Sequence, residues 1–250
     1  MMISLADLAQ NAVHFGHKVS RWNPKMKNYI YGQKDGIHII DLKKTASHLE
    51  VALKKLKYHV DKGDVILFVS TKPQTKLLFE ELGNETGYPI VVNKWIGGML
   101  TNFATIQSRI KYLKSLRDMV RTGEIDKFSK KEKSRLIREK SKLEIAFSGI
   151  IDMYRKPDVI FVTDGKRDVS ALREAKLLGI PIIGIADTNV DPDLYTDLIP
   201  ANDDAISSLT YILSFIFDVV KTGKKREKRE KGDEKKQSQN QDIEQSEQTE

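Results

Sequence analysis

The chain has 250 residues, 40% of them hydrophobic, with 42 Lys and Arg against 35 Asp and Glu and no cysteine. That is apolar material for one sizeable α/β core with an appendage, or for two modest domains. The absence of thiols excludes a disulfide framework and thiolate metal sites and fits a reducing compartment, while the net charge of +7 suggests a polyanionic partner.

The opening MMISLADLAQNAV lacks the basic flank and long apolar run of a signal peptide. Ser4, with Asp7 three residues on, opens a short helix that ends before Gly16. From Lys18 to Lys34 there are five basic residues (Lys18, Arg21, Lys25, Lys27, Lys34) and no acidic one, interleaved with Trp22, Pro24, Tyr29 and Tyr31. Unbalanced positive charge among aromatic faces suits a phosphate backbone or an unstacked base. The same pattern also describes an arm whose Trp packs on the core and whose lysines are merely solvated.

YIYGQKDGIHIID predicts a β-hairpin, and Asp41 caps a helix that runs to Gly63 with Leu49, Leu53, Leu56 and Val60 inward. Residues 65–70 form a continuous apolar run, as a parallel strand covered on both faces requires. Pro73 starts a helix that closes near Gly83 or Gly87, and PIVV supplies a second strand. Residues 158–163 and 180–187 are two more buried strands separated by the helix SALREAKLLG. A short strand around Leu198 and Ile199 precedes a helix capped by Asn202 or Asp203, on which Leu209, Ile212, Leu213, Ile216 and Val220 form one stripe. That apolar run, SLTYILSFIFDVV, is shorter than the roughly 20 residues needed to span a bilayer. Strand and helix alternate, so the expected architecture is a doubly wound parallel sheet.

Residues 101–150 interrupt the alternation. They hold 13 basic and 6 acidic residues, a surplus of seven that equals the net charge of the whole chain. Phe103, Ile106, Ile110, Leu113 and Val120 mark one amphipathic helix; Leu136, Leu143, Phe147 and Ile150 mark a second, which Ser129 and Glu132 open as a capping box. Two such stripes joined by a short loop predict an antiparallel, coiled-coil-like hairpin, each arm reaching roughly 30 Å. The expected organisation is a first globular part at 1–100, the hairpin at 101–150, a second globular part at 151–222, and a charged, disordered tail at 223–250.

Chemistry at the strand ends is the alternative. Asp164, Asp187, Asp191, Asp193, Asp203 and Asp204 follow strands, and a Mg²⁺-dependent phosphoryl-transfer enzyme would need Asp164 and Asp187 to converge with a basic residue. Against it, DPD reads as a turn and NDDA as a helix start, and neither a Walker A string nor G-x-G-x-x-G is present. His14 and His17 have ligand-like spacing, but a zinc site would need distant carboxylates. We therefore expect no metal, cofactor, catalysis or small-molecule substrate. A protein-interaction module using the hairpin as its arm is a third reading.

Three strings are more specific than composition. AVHFGHKVSRWNPKMKNYIYGQKDGIHIIDLKKT, NKWIGGMLTNFATIQSRI and DTNVDPDLYTDLIPANDDAI closely resemble the bacterial and organellar small-subunit ribosomal protein two family, over residues from about 3 to 222. The resemblance implies a flavodoxin-like α/β domain with an inserted coiled-coil hairpin, bound to small-subunit rRNA near the head and body junction. It further implies docking of other ribosomal proteins, including the messenger-binding protein one where a species has it, no membrane, and a cytoplasmic rather than organellar ribosome. Arg21, Trp22, Asn23, Pro24 and Lys25 match the first string; Trp95, Gly97, Gly98, Thr101 and Asn102 match the second. The expected rRNA-binding set is Lys18, Arg21, Trp22, Asn23, Lys25, Lys27, Lys94, Trp95, Thr101 and Asn102, with Arg109, Lys111, Lys114, Lys130, Lys131, Lys133, Arg135 and Arg138 on the hairpin. The chain departs from the family where Ala12 and Ala201 replace frequent glycines, at Lys94 and Ile96, at Ser70, and in the loop 163–168.

Overall fold

The computed structural model describes residues 3–223; the tail expected from 223 onward lies almost wholly outside them. Ser4 accepts from the Asp7 amide to start α1 (Leu5–Gln10). The next strands are β1 (Phe15–Lys18), β2 (Ile30–Lys34) and β3 (Ile37–Ile40), an antiparallel sheet in the order β1-β3-β2. The β2–β3 hairpin is as expected, and its turn places Asp35 and Gly36 both at positive φ, the conformation that suits a two-residue turn to the strand twist. Strand β1 is additional. Between it and β2 the chain coils into two 3₁₀ turns, Val19–Arg21 and Pro24–Tyr29, so the segment expected as a basic arm is folded onto the body.

Asp41 accepts from the Lys43 amide and starts α2 (Leu42–Asp61), with Leu49, Leu56 and Val60 buried. There follow β4 (Ile66–Val69), α3 (Lys76–Thr86), β5 (Ile90–Val91), α4 (Phe103–Arg121), α5 (Lys130–Phe147), β6 (Val159–Val162), α6 (Val169–Leu177), β7 (Ile182–Ala186), β8 (Asp197–Pro200) and α7 (Ile206–Gly223). The five later strands are all parallel in the order β5-β4-β6-β7-β8. Numbered within that sheet this is 2-1-3-4-5, the flavodoxin-like order, with its switch point between β4 and β6.

Alternation along the strands divides the core. Ile66, Phe68, Val159 and Phe161 face α1, α2, α3 and α7, while Leu67, Val69, Ile160 and Val162 face α6 and the roots of α4 and α5. Helix α7 is the one helix among the described residues long and apolar enough to cross a membrane. Here Leu209, Ile212, Leu213, Ile216 and Val220 are almost fully buried against the sheet. Each contributes roughly 1.5–3 kcal/mol by leaving water.

Helices α4 and α5 stand where the inserted pair is expected. Ser129 and Glu132 form the capping box reciprocally, Arg117–Glu144 and Tyr112–Glu139 link α4 to α5, and Lys133–Asp126 ties α5 to the connecting turn. The insertion is rooted more deeply than its sequence suggests. Ile106, Ile110, Leu113, Phe147 and Ile150 belong to the same apolar cluster as the sheet's second face. Within α5 itself only Phe147 is buried; Leu136 and Leu143 are half-covered.

Candidate nucleic-acid interface

The basic residues of α4 and α5 fall into two groups. Lys114, Arg117, Arg121, Lys133 and Lys140 are each held by a carboxylate, from Asp152, Glu144, Asp118, Asp126 and Glu144 respectively. Arg109, Lys111, Lys130, Lys131, Arg135, Arg138 and Lys142 are exposed and have no ion pair among the described residues. Four of these, Lys131, Arg135, Arg138 and Lys142, recur at intervals of four, three and four and line one shallow depression on α5. Helical geometry makes them a single row about 17 Å long. Lys142 is absent from the expected set, although its spacing continues the row.

Around the N-terminal segment the expected residues divide again. Lys18, Arg21 and Lys27 are exposed. Trp22 is half-buried with its ring 4.9 Å from that of His38, and Asn23 caps the following turn through the Lys25 amide while its own amide donates to the Thr188 carbonyl. The Lys25 ammonium is shared by Asp191 at 3.1 Å and Asp193 at 2.6 Å, which hold it above its ordinary range. Lys94 and Asn102 are exposed. Trp95 is buried, and its indole N–H donates to Glu174 at 2.9 Å; the Thr101 hydroxyl donates to the same carboxylate at 3.0 Å.

At the sheet's switch point the aspartates do gather, around Lys72. Its ammonium lies 3.0 Å from Asp164, 3.0 Å from Asp203 and 2.9 Å from Asp204. Burial alone would lower it, but these carboxylates outweigh burial and hold it well above the lysine range. Burial and the neighbouring Asp164 and Asp187 push Asp203 up to about 8, against the pull of Lys72. Asp164 also accepts from the amides of Lys166 and Arg167, and Asp187 accepts from Thr188 and from the Asp203 amide. Asn202 accepts from the amides of Asp204 and Ala205 in the turn just ahead of α7, and Asp191 accepts from the Asp193 amide. The turn readings of these loops hold, but the residue at the start of α7 is Ala205, whose carbonyl accepts from the Leu209 amide, rather than the expected Asn202 or Asp203. A lysine enclosed by three carboxylates has no field left for a phosphoryl group, so the convergence does not make a phosphoryl-transfer site.

The histidines separate. His17 lies 3.1 Å from Asp187, whose hydrogen bond raises it against the effect of burial. His17, Asp187 and Asp203 present ligand atoms within 4.8 Å of one another, a set able to hold a divalent ion, and His14 is not part of it. The distant carboxylates that sequence spacing cannot supply are brought there by the ends of β7 and β8.

Comparison with known proteins agrees over nearly the whole described region. The family described as Ribosomal protein S2 matches residues 8–223. A protein of Dictyoglomus turgidum named small ribosomal subunit protein uS2 is 47% identical over 229 residues, covering 92% of both chains. The protein of that name from Microcystis aeruginosa is 45% identical over 224 residues, 90% of this chain and 84% of the relative, and that from Chloroherpeton thalassium is 47% identical over 218 residues, 87% of each.

Proposed function

The chain belongs to the ribosomal protein S2 family, and on that premise we propose that it meets small-subunit rRNA chiefly through the unpaired cations of the inserted helices. It is a structural, non-catalytic constituent of the small ribosomal subunit in the bacterial cytoplasm, in contact with rRNA and neighbouring ribosomal proteins. The observation that carries the finer reading is the row Lys131, Arg135, Arg138 and Lys142, exposed on one face of α5 and with no ion pair among the described residues. Cations in such a row neutralise successive phosphates and release their counterions, largely without reading bases. Lys18, Arg21 and Lys27 add a second contact beside the body, whereas Trp95, Thr101 and Lys25 act by holding the surface in shape.

In this reading residues 101–150 are an insertion into a body made of 1–100 and 151–222. Docking of the messenger-binding protein one rests on the family resemblance alone and would be checked by its retention on particles. The primary test is co-sedimentation of the full chain with small ribosomal particles at moderate salt. Co-migration that is lost as salt rises is expected; absence of the chain from particles at every salt concentration would refute the reading.

A further inference from the structure

The inserted helices are joined to the body at one unusually concentrated point. Glu174, on α6, accepts five hydrogen bonds from the seven residues that lead into α4. Its Oε1 takes the Trp95 indole N–H at 2.9 Å and the Gly98 amide at 2.8 Å; its Oε2 takes the amides of Leu100 at 3.0 Å and Thr101 at 3.1 Å and the Thr101 hydroxyl at 3.0 Å. The three amides converge because Gly98 adopts φ +85°, a left-handed conformation that bends the backbone into a concave nest. Helix α4 begins two residues after Thr101, and Asn102 at its N-cap makes no side-chain capping bond. Through Leu100 and Thr101, Glu174 places a negative charge just ahead of the positive end of α4.

We propose that Glu174 is the positioning residue of the RNA-binding insertion, fixing the direction in which α4 and α5 leave the body. The inference rests on the insertion being the rRNA-contacting element. All five partners are donors, so only an acceptor with two charged oxygens satisfies them together; an amide in its place sets an NH₂ group against at least two N–H groups. The hydrophobic root of the insertion supplies adhesion, which is non-directional. Five hydrogen bonds to one side chain supply the angle. Holding the row of cations at a fixed angle lets its members meet phosphates at once and avoids ordering the arm on binding.

The chain has no cysteine, so a pair introduced as Lys127→Cys at the arm's end and Lys54→Cys on α2 carries spin labels at those two places alone. In the full-length protein a narrow distance distribution is expected; with Glu174→Gln it should broaden while the unfolding transition stays cooperative. The same substitution should lower the salt dependence of rRNA binding, each phosphate no longer engaged reducing the slope by about 0.9. Should Glu174→Gln fail to fold, Thr101→Val removes a single exposed donor and should broaden the distribution less. Unchanged widths in the folded variants would overturn the proposal. The distance readout needs no RNA, so it stands apart from the proposed function, which fails instead if neutralising the α5 row leaves the salt slope untouched.

Discussion

Replacing Lys131, Arg135, Arg138 and Lys142 together by glutamine removes four charges while keeping good helix formers on α5. All four are exposed and unpaired, so the change in folding stability should stay within about 0.5 kcal/mol per site, as for surface substitutions without partners. The binding effect is much larger. If each side chain neutralises one phosphate, the slope of log K against log salt becomes shallower by roughly 3 to 3.6. Counterion release vanishes near 1 M salt, so at about 0.15 M that slope corresponds to a loss of roughly 300- to 1,000-fold in affinity for small-subunit rRNA. Filter binding or fluorescence anisotropy at several salt concentrations measures both quantities, with circular dichroism to establish that the variant is folded. A control in which Lys114, Lys133 and Lys140 are replaced should do much less, because each is already matched by a carboxylate. A folded quadruple variant that keeps the wild-type slope refutes the assignment of this face.

Ala12 sits at φ +59°, a left-handed conformation that costs an L-residue about 1 kcal/mol and a glycine almost nothing. Ala12→Gly should therefore raise the urea midpoint by the equivalent of up to about 1 kcal/mol, less the glycine's extra freedom when unfolded, and a lowered midpoint would contradict the strain. A Cβ at Gly149 would overlap the carbonyl oxygen of Ile90 where α5 returns to the sheet. Gly149→Ala should accordingly lose about 1–3 kcal/mol in denaturant unfolding, and a neutral result would show that β5 moves freely. Burial would raise the Glu174 carboxyl, but the Trp95, Thr101, Leu100 and Gly98 donors prevail and hold it below the ordinary value of 4.5. A depressed carboxyl contributes stability that is fully present above its unfolded value and is lost as pH falls through the folded one. Acidification below about pH 4.5 should then release Trp95 from Glu174, read as a change in tryptophan emission that Glu174→Gln no longer shows.

How much of this was legible in the sequence depended on how local the cause was. Strands β4, β6 and β7 are continuous apolar runs because both faces of a parallel sheet are covered, and the capping residues Asp41 and Ser129 stand next to the amides they satisfy. Strand β1 was not legible: it has no apolar alternation, and its pairing with β3 shifts register between Phe15 and Lys18. Lys25 and Trp95 were legible as a cation and an aromatic but not as occupied ones, since Asp191, Asp193 and Glu174 are 79 or more residues away. Glu174 carries no signal at all. An acidic residue in an amphipathic helix looks solvated until the fold sets a loop of amides against it.

The contrast between the two charged regions gives the functional reading its direction. At the switch point, where doubly wound sheets ordinarily leave unsatisfied dipoles for a ligand, Lys72, Asp164 and Asp187 are satisfied by one another or by nearby backbone amides, and of the Asp203 carboxylate one oxygen meets Lys72 while the other is buried without a partner. On α5 the position is reversed: Lys131, Arg135, Arg138 and Lys142 hold no carboxylate in an ion pair among the described residues, and Glu132 and Glu139, which border the same depression, hydrogen-bond to Ser129 and Tyr112, Glu132 attracting Arg135 only through space. Like charges at spacings of three and four destabilise an isolated helix by a few tenths of a kcal/mol per pair. In the proposed reading, an external polyanion relieves that accumulated repulsion. On the same reading the rest of the chain, with no net charge outside residues 101–150, carries that helix at the angle proposed for Glu174 to set.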